Sequence, residues 1–247
     1  MPWDGPTLGL SGTGGDEKRA PAELKFLVPW GHVAAKAWGH LEGDPVLCLH
    51  GWLDNANTFD KLIPLLPRGY YYVAMDFSGH GLSSHRPAGC PYHFLDYVTD
   101  VRRVAAALQW KRFTLMGHSM GGAVAGMFCF LYPEMVDKLI LLESLGFLLA
   151  PEQCHEFLTV EQCVKLLQKI QDRILIIVSQ DGLLVPHNLP SRNHFVKALQ
   201  EAFESTLKEH IQLAEVPGSH FVHLNEPEVV SGIISNFLTA QNTRARL

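Results

Sequence analysis

An α/β domain built on an eight-stranded, mostly parallel sheet with helices on both faces is what the sequence predicts, and three observations predict it. Five short runs are almost wholly apolar: "PVLCLH" (45–50), "YYYVAM" (70–75), "RFTLMG" (112–117), "KLILLE" (138–143) and "RILIIVS" (173–179). Runs of this length between Gly, Pro and polar residues fit strands buried on both faces, as in a parallel sheet. Segments of helical periodicity lie between them, so strand and helix alternate as in a doubly wound fold with right-handed crossovers. The length of 247 residues suits one such domain.

Taken in order, the leader over residues 1–22 is rich in Gly, Pro and charge and lacks a charged-then-apolar signal pattern, so it is expected to be poorly ordered. The domain is expected over 23–240. "LKFLVPWGHVAAKAWG" reads as a hairpin turning at Trp30-Gly31, two antiparallel strands ahead of the parallel ones. Phe94, Val98, Val101, Val104 and Leu108 recur at helical spacing, as do Phe195, Leu199, Phe203 and Leu207. "IQLAEVPG" supplies the eighth strand and "NEPEVVSGIISNFL" the last helix, with Asn225 as N-cap and Pro227 in its first turn. Residues 241–247 form a tail.

Composition narrows the partners. A net charge of −5, with no basic run beyond "RAR" at the end, offers no surface for nucleic acid. No apolar run approaches the ~20 residues that span a bilayer. The five cysteines have no CxxC spacing and sit mostly in apolar runs, as small core residues of a chain kept reduced do. A soluble protein acting on a small molecule is the expectation.

The chemistry is concentrated in "FTLMGHSMGGAVAGMFCF", Phe113–Phe130, which passes from strand to glycine-rich turn to helix. G-x-S-x-G at a strand-to-helix junction is a nucleophile elbow: the glycines give room where backbone segments crowd, and Ser119 is held in a strained, exposed turn. A hydroxyl needs a base, and a base needs an orienting acid, in the chain order Ser, Asp or Glu, His. His220, in the loop after the last strand, is the preferred base over His223, which suits packing. Asp181 and Glu143 both stand at C-terminal strand ends; Asp181 is the preferred acid and Glu143 the alternative. Backbone N–H groups of Met120, after the serine, and of Trp52, in the "HGWLDN" loop, would stabilise an oxyanion.

The motifs "VLCLHGWLDNANTFDKLIP", "VAMDFSGHGLSS", "LMGHSMGGAVA" and "VPGSHFVHLNEPE" together resemble the α/β-hydrolase superfamily, most closely its serine hydrolase-like proteins. The resemblance implies the eight-stranded fold and hydrolysis of an ester or thioester through a serine ester intermediate, without a cofactor. It also makes Asp76 of "DFSGHGLS" a structural residue. Two departures are visible. Only 29 residues, Leu145–Arg173, stand where related chains insert a large helical cap, with one short helix expected from the Thr159/Gln162 capping box and Val160, Val164, Leu167 and Ile170. A shortened cap implies loose selection, favouring small activated esters. The pattern similar to G-x-x-D after the seventh strand, laid on "SQDG", puts Gly182 where the acid belongs and Asp181 one residue early. These departures raise an alternative, a non-catalytic homologue that binds without turnover. The final Ala245-Arg246-Leu247 is similar to a peroxisomal tripeptide, an alternative to a cytoplasmic address.

Overall fold

The computed structural model describes residues 20–147, 160–170, 173–182, 197, 199–201 and 210–240. The expected leader (all but its last residues), the Thr159 cap, most of the 195–207 helix and the 241–247 tail lie outside them.

Among the described residues, eight strands form one sheet: β1 (Ala22–Val28), β2 (Gly31–Trp38), β3 (Asp44–Leu49), β4 (Tyr70–Met75), β5 (Phe113–His118), β6 (Val136–Leu142), β7 (Arg173–Asp181) and β8 (Ile211–Ser219). Their order is β1-β2-β4-β3-β5-β6-β7-β8, antiparallel for the β1–β2 and β2–β4 pairs and parallel for the rest. The hairpin turns one residue earlier than expected, at Pro29-Trp30, with Val28 paired to Gly31.

Among the described residues the sheet is accompanied by α1 (Phe94–Ala107), α2 (Met120–Leu131), α3 (Val160–Leu167), α4 (Val222–Asn225) and α5 (Pro227–Thr239). The last helix corrects the sequence expectation. Asn225 is the final residue of α4, its N–H donating to the Phe221 carbonyl, so Glu226 becomes the N-cap and Pro227 the first residue of α5. Period-two alternation along each buried strand divides the apolar residues between two cores. Leu47, Leu49, Val73, Leu115, Leu139 and Ile176 pack with Val101 and Val104 of α1 and Val124 and Phe128 of α2. Val46, Cys48, Met116, Ile140 and Ile177 pack on the other face with Phe59, Leu62 and the α5 residues Val230, Ile234 and Phe237. Cys48, Cys129 and Cys163 are buried as expected, whereas Cys90 is exposed.

The strand order reverses between β3 and β5, where the chain leaves the sheet in opposite directions. A crevice opens there at the carboxyl ends of the strands, the place where such sheets hold ligands. The loops after β3, β5, β6 and β8 all end at it.

Candidate active site

Ser119 occupies the sharp corner between β5 and α2 with φ 51 and ψ −117, a conformation that a residue with a side chain adopts only under constraint. The constraint is visible. The Ser119 N–H donates to the Leu142 carbonyl at the end of β6 (3.0 Å), while the Ser119 carbonyl accepts from Gly122 and Ala123 at the start of α2. Glycines permit the crowding: a Cβ on Gly117 would lie 2.5 Å from the Gly121 carbonyl carbon, and one on Gly121 would lie 2.6 Å from that of Leu49. The serine is thereby raised into a cavity of about 850 Å³, also lined by Trp52, Met120, Glu143, Phe147 and His220.

His220 follows β8 and faces the same cavity. Its Nδ1–H donates to Glu143 Oε2 at 3.1 Å. Glu143 is the residue after β6; its N–H donates to the Ile177 carbonyl (2.9 Å) and its Oε1 accepts the Ser179 N–H at 2.5 Å. The carboxylate is almost completely buried, and a buried carboxylate is tolerated only when its oxygens are matched by donors, as both are here. Glu143 also has φ 50, a second strained non-glycine at a strand exit. With Nδ1 committed to the carboxylate, Nε2 is the nitrogen left for a hydroxyl. No hydrogen bond yet joins Ser119 Oγ to the ring among the described residues, a separation common before substrate arrives.

Asp181, the acid preferred from sequence, is not brought to His220. It is exposed at the end of β7, paired with Ser219, beyond an irregularity between Ser179 and Asp181. The extra residue belongs to β8, where Pro217 and Gly218 stand opposite Gln180; Asp181 is left in solvent and Gly182 faces Glu143. Glu143, the alternative, is the carboxylate that touches the imidazole.

The loop after β3 is organised by His50. Its Nδ1–H donates to the Gly51 carbonyl at 2.7 Å and its Nε2 accepts the Phe77 N–H at 3.1 Å, so the ring is neutral, and burial pushes its pKa down to about 4. Carbonyl and N–H of one trans peptide point in opposite directions. Holding the Gly51 carbonyl on His50 therefore aims the Trp52 N–H away from that ring. Among the described residues neither the Trp52 nor the Met120 N–H has an acceptor. The Trp52 indole lines the cavity, yet is 72% exposed.

Two histidines lie beneath the base. His118 Nε2–H donates to the His220 carbonyl (2.8 Å), and its ring centroid is 4.7 Å from that of His220 and 4.2 Å from that of His223. Its other edge abuts Gly51, where a Cβ would stand 3.0 Å from Nδ1. Burial, reinforced by His220, lowers the His118 pKa to about 3. His223 is buried, shares a hydrogen bond with Thr58 Oγ1 (2.9 Å) and is likewise held neutral by burial, the packing role expected for it. Sequence reasoning missed His118, which in the motif is only an unspecified position.

Asp76 is structural. Its Oδ1 accepts the Ala56 N–H and its Oδ2 the Leu82 N–H, tying the loop after β4 to the segment after β3. Among the described residues no group of three or more His, Cys, Asp or Glu side chains could hold a metal ion, and no helix is long and apolar enough to cross a membrane.

Residues 44–165 match the family described as alpha/beta hydrolase fold. Serine hydrolase-like protein 2 of Homo sapiens is 40% identical, with 90% of this chain and 96% of the relative covered; serine hydrolase-like protein of Mus musculus is 37% identical, over 92% and 99%. The human alignment runs over 302 positions, more than the 247 residues of this chain, so that relative carries residues without a counterpart here. Among solved structures, a hypothetical protein from Pseudomonas aeruginosa superposes with a TM-score of 0.72 at 23% identity, covering 88% of this chain and 99% of its own. The thioesterase domain of a curacin biosynthetic pathway superposes with a TM-score of 0.68 at 20% identity, over 87% and 99%.

Proposed function

Because this chain belongs to the α/β-hydrolase family, alongside the serine hydrolase-like proteins, we propose that it is a serine hydrolase cleaving a carboxylic ester or thioester of a small molecule. The observation that carries the reading is the buried Glu143 carboxylate on His220 Nδ1, across one cavity from a serine held at φ 51. In this reading Glu143, and not Asp181, is the acid.

His220 Nε2 takes the proton from Ser119 Oγ as the oxygen attacks the carbonyl carbon. The carbonyl π electrons move onto oxygen, where the Trp52 and Met120 N–H groups stabilise the charge. Collapse expels the alcohol or thiol, which leaves with the proton held by His220. Water, deprotonated by the same nitrogen, then attacks the acyl-enzyme and regenerates Ser119. Glu143 keeps the imidazole in the required tautomer and balances the imidazolium. The substrate's larger part would rest on Tyr92, Phe94, Tyr97 and Phe147, an aromatic lining suited to an apolar group.

The other reading, a binding protein without turnover, was motivated by the displaced Asp181 and the short segment after β6; a carboxylate already seated on His220 weakens the first motive. Covalent labelling with a fluorophosphonate separates the two. The parent should label stoichiometrically, Ser119→Ala not at all, and His220→Ala very slowly. Labelling that survives Ser119→Ala unchanged would refute the assignment.

A further inference from the structure

Tyr92 lines the cavity from the connection between β4 and α1, and its neighbours hold it there. Its hydroxyl accepts the Arg86 N–H at 2.7 Å, and the Arg86 guanidinium lies 5.6 Å from its ring centre. The ring stacks on that of Tyr97, with centroids 6.3 Å and planes 11° apart. Gly79, at φ 78, makes room for it: a Cβ there would stand 2.6 Å from the Tyr92 hydroxyl and 2.7 Å from Cζ. Arg86 is fixed in turn. Its guanidinium pairs with Asp96, in the first turn of α1, at 2.8 Å, and it shares the Trp30 indole with Arg103, the two cations lying 5.0 and 4.9 Å from that ring centre. The Arg86 side chain is only 16% exposed, so the pair escapes the screening that weakens surface ion pairs. Asp96 also accepts the His93 N–H at 2.8 Å, which joins the connection to the helix that brings Phe94 and Tyr97 to the cavity. Swinging the Tyr92 ring aside would break these contacts together.

We propose that Tyr92 sets the length of straight apolar chain that the cavity accepts, and that Arg86 is its positioning residue. Selection then resides in the connection between β4 and α1, against the loose selection expected from the short segment after β6. The inference rests on the reading of the cavity as a hydrolase site. It narrows the substrate to esters or thioesters whose apolar part ends at the Tyr92 ring, because a longer chain must displace a ring that Arg86 keeps in place.

The test is kcat/KM for 4-nitrophenyl esters from acetate to dodecanoate in the parent, Tyr92→Ala, Tyr92→Leu, Arg86→Gln and Tyr92→Ala/Arg86→Gln. Each value is divided by that for the acetate in the same protein, so a general loss of activity cancels. In the parent the ratio should climb about fourfold per buried methylene and then break downward. The break should move to longer chains in Tyr92→Ala, and less far in Tyr92→Leu and Arg86→Gln. The double variant should break where Tyr92→Ala does, because Arg86 acts only through that ring. A parent without a break overturns the proposal, as does a break that stays in place in whichever Tyr92 variants fold; a double variant that extends well beyond Tyr92→Ala overturns the role of Arg86. Calorimetric binding of straight-chain 1-alkanols in the Ser119→Ala background repeats the comparison without turnover, with Kd tightening about fourfold per methylene up to the same break. Should the parent neither label nor hydrolyse any ester, the hydrolase reading falls, and the alkanol series alone decides: a break that Tyr92→Ala extends supports the proposal, and one that it leaves in place overturns it.

Discussion

Lowering the pH from neutrality to about 4.5 should destabilise this fold well before its carboxylates are protonated, because three imidazoles are buried with no place for a second proton. His50 Nε2 accepts the Phe77 N–H and cannot carry one. The Nδ1 atoms of His118 and His223 are buried without a hydrogen-bond partner among the described residues. Burial accordingly lowers His50 to about 4, lowers His118 to about 3, and takes His223 well below the ordinary imidazole range. In the unfolded chain each titrates near 6.5, so below that value the unfolded state binds protons that the folded state refuses, and stability falls as pH falls. Each group contributes about 1.4 kcal/mol per pH unit below that value, so His50 and His118 together cost about 5 kcal/mol by pH 4.5, and His223 acts in the same direction. Global stabilities run at about 5–15 kcal/mol, so a loss of this size is decisive. Asp100, raised by burial, opposes the trend, one group against three. Urea unfolding followed by tryptophan fluorescence at several pH values gives the slope. Calorimetry in buffers of different ionisation enthalpy gives the proton count, expected to be about three bound on unfolding near pH 5 and one fewer in His223→Asn. A flat stability between about pH 6.5 and 5, or an uptake below about one proton, would refute the assignment of these rings as buried and neutral.

Three further outcomes follow from the same coordinates. Lys138→Met should lower stability by about 2–4 kcal/mol, because the buried Nζ donates to the Phe237, Leu238 and Ala240 carbonyls at the C-terminal end of α5, where the helix dipole favours a cation; an unchanged urea midpoint would contradict this. Leu53→Gly should raise stability by up to about 1 kcal/mol, since Leu53 is 85% exposed at φ 55 and has little packing to lose; a fall would show that the side chain has a contact that matters. Gly126→Ala should cost about 1–3 kcal/mol and slow fluorophosphonate labelling, because the new methyl would lie 2.5 Å from the Gly146 carbonyl carbon and push α2, which carries the elbow, off the chain leaving β6. Parental stability in that variant would mean that α2 can shift freely.

The strands were legible because parallel strands buried on both faces must be continuously apolar, and no other local pattern competes over five or six residues. Their ends were less so: β6 starts at Val136 rather than Lys138 and β7 runs on to Asp181, through polar residues that a hydropathy argument discards. The elbow could be read because its chemistry is local, five consecutive residues at one strand-to-helix corner. The Glu143–His220 contact could not be read in that way. It depends on a one-residue bulge in β8, opposite Gln180 near the end of β7, and on a left-handed residue after β6, and the direction of a side chain at a strand end follows from those dihedrals rather than from residue type. One signal was present. A glutamate directly after an apolar buried run must either reach solvent or find donors, and Glu143 closes "KLILLE" with no polar residue before it until Lys138.

His118 connects the acid sensitivity of the fold to the integrity of the site. Its backbone belongs to the elbow, one ring edge abuts Gly51 in the loop after β3, and Nε2 holds the carbonyl of His220 itself. Three chain segments that meet nowhere else in sequence are therefore spaced by one neutral imidazole. Protonating that ring would place a charge beside His220 and His223, both within ring contact, with only the Glu143 carboxylate nearby to offset it. The loop carrying the base would then be pushed from the serine by the same event that weakens the core, so the site should open in acid at or before global unfolding. Hydrogen exchange that rises in the His220 loop before the tryptophan signal is lost, as pH falls, would locate that first opening at this ring.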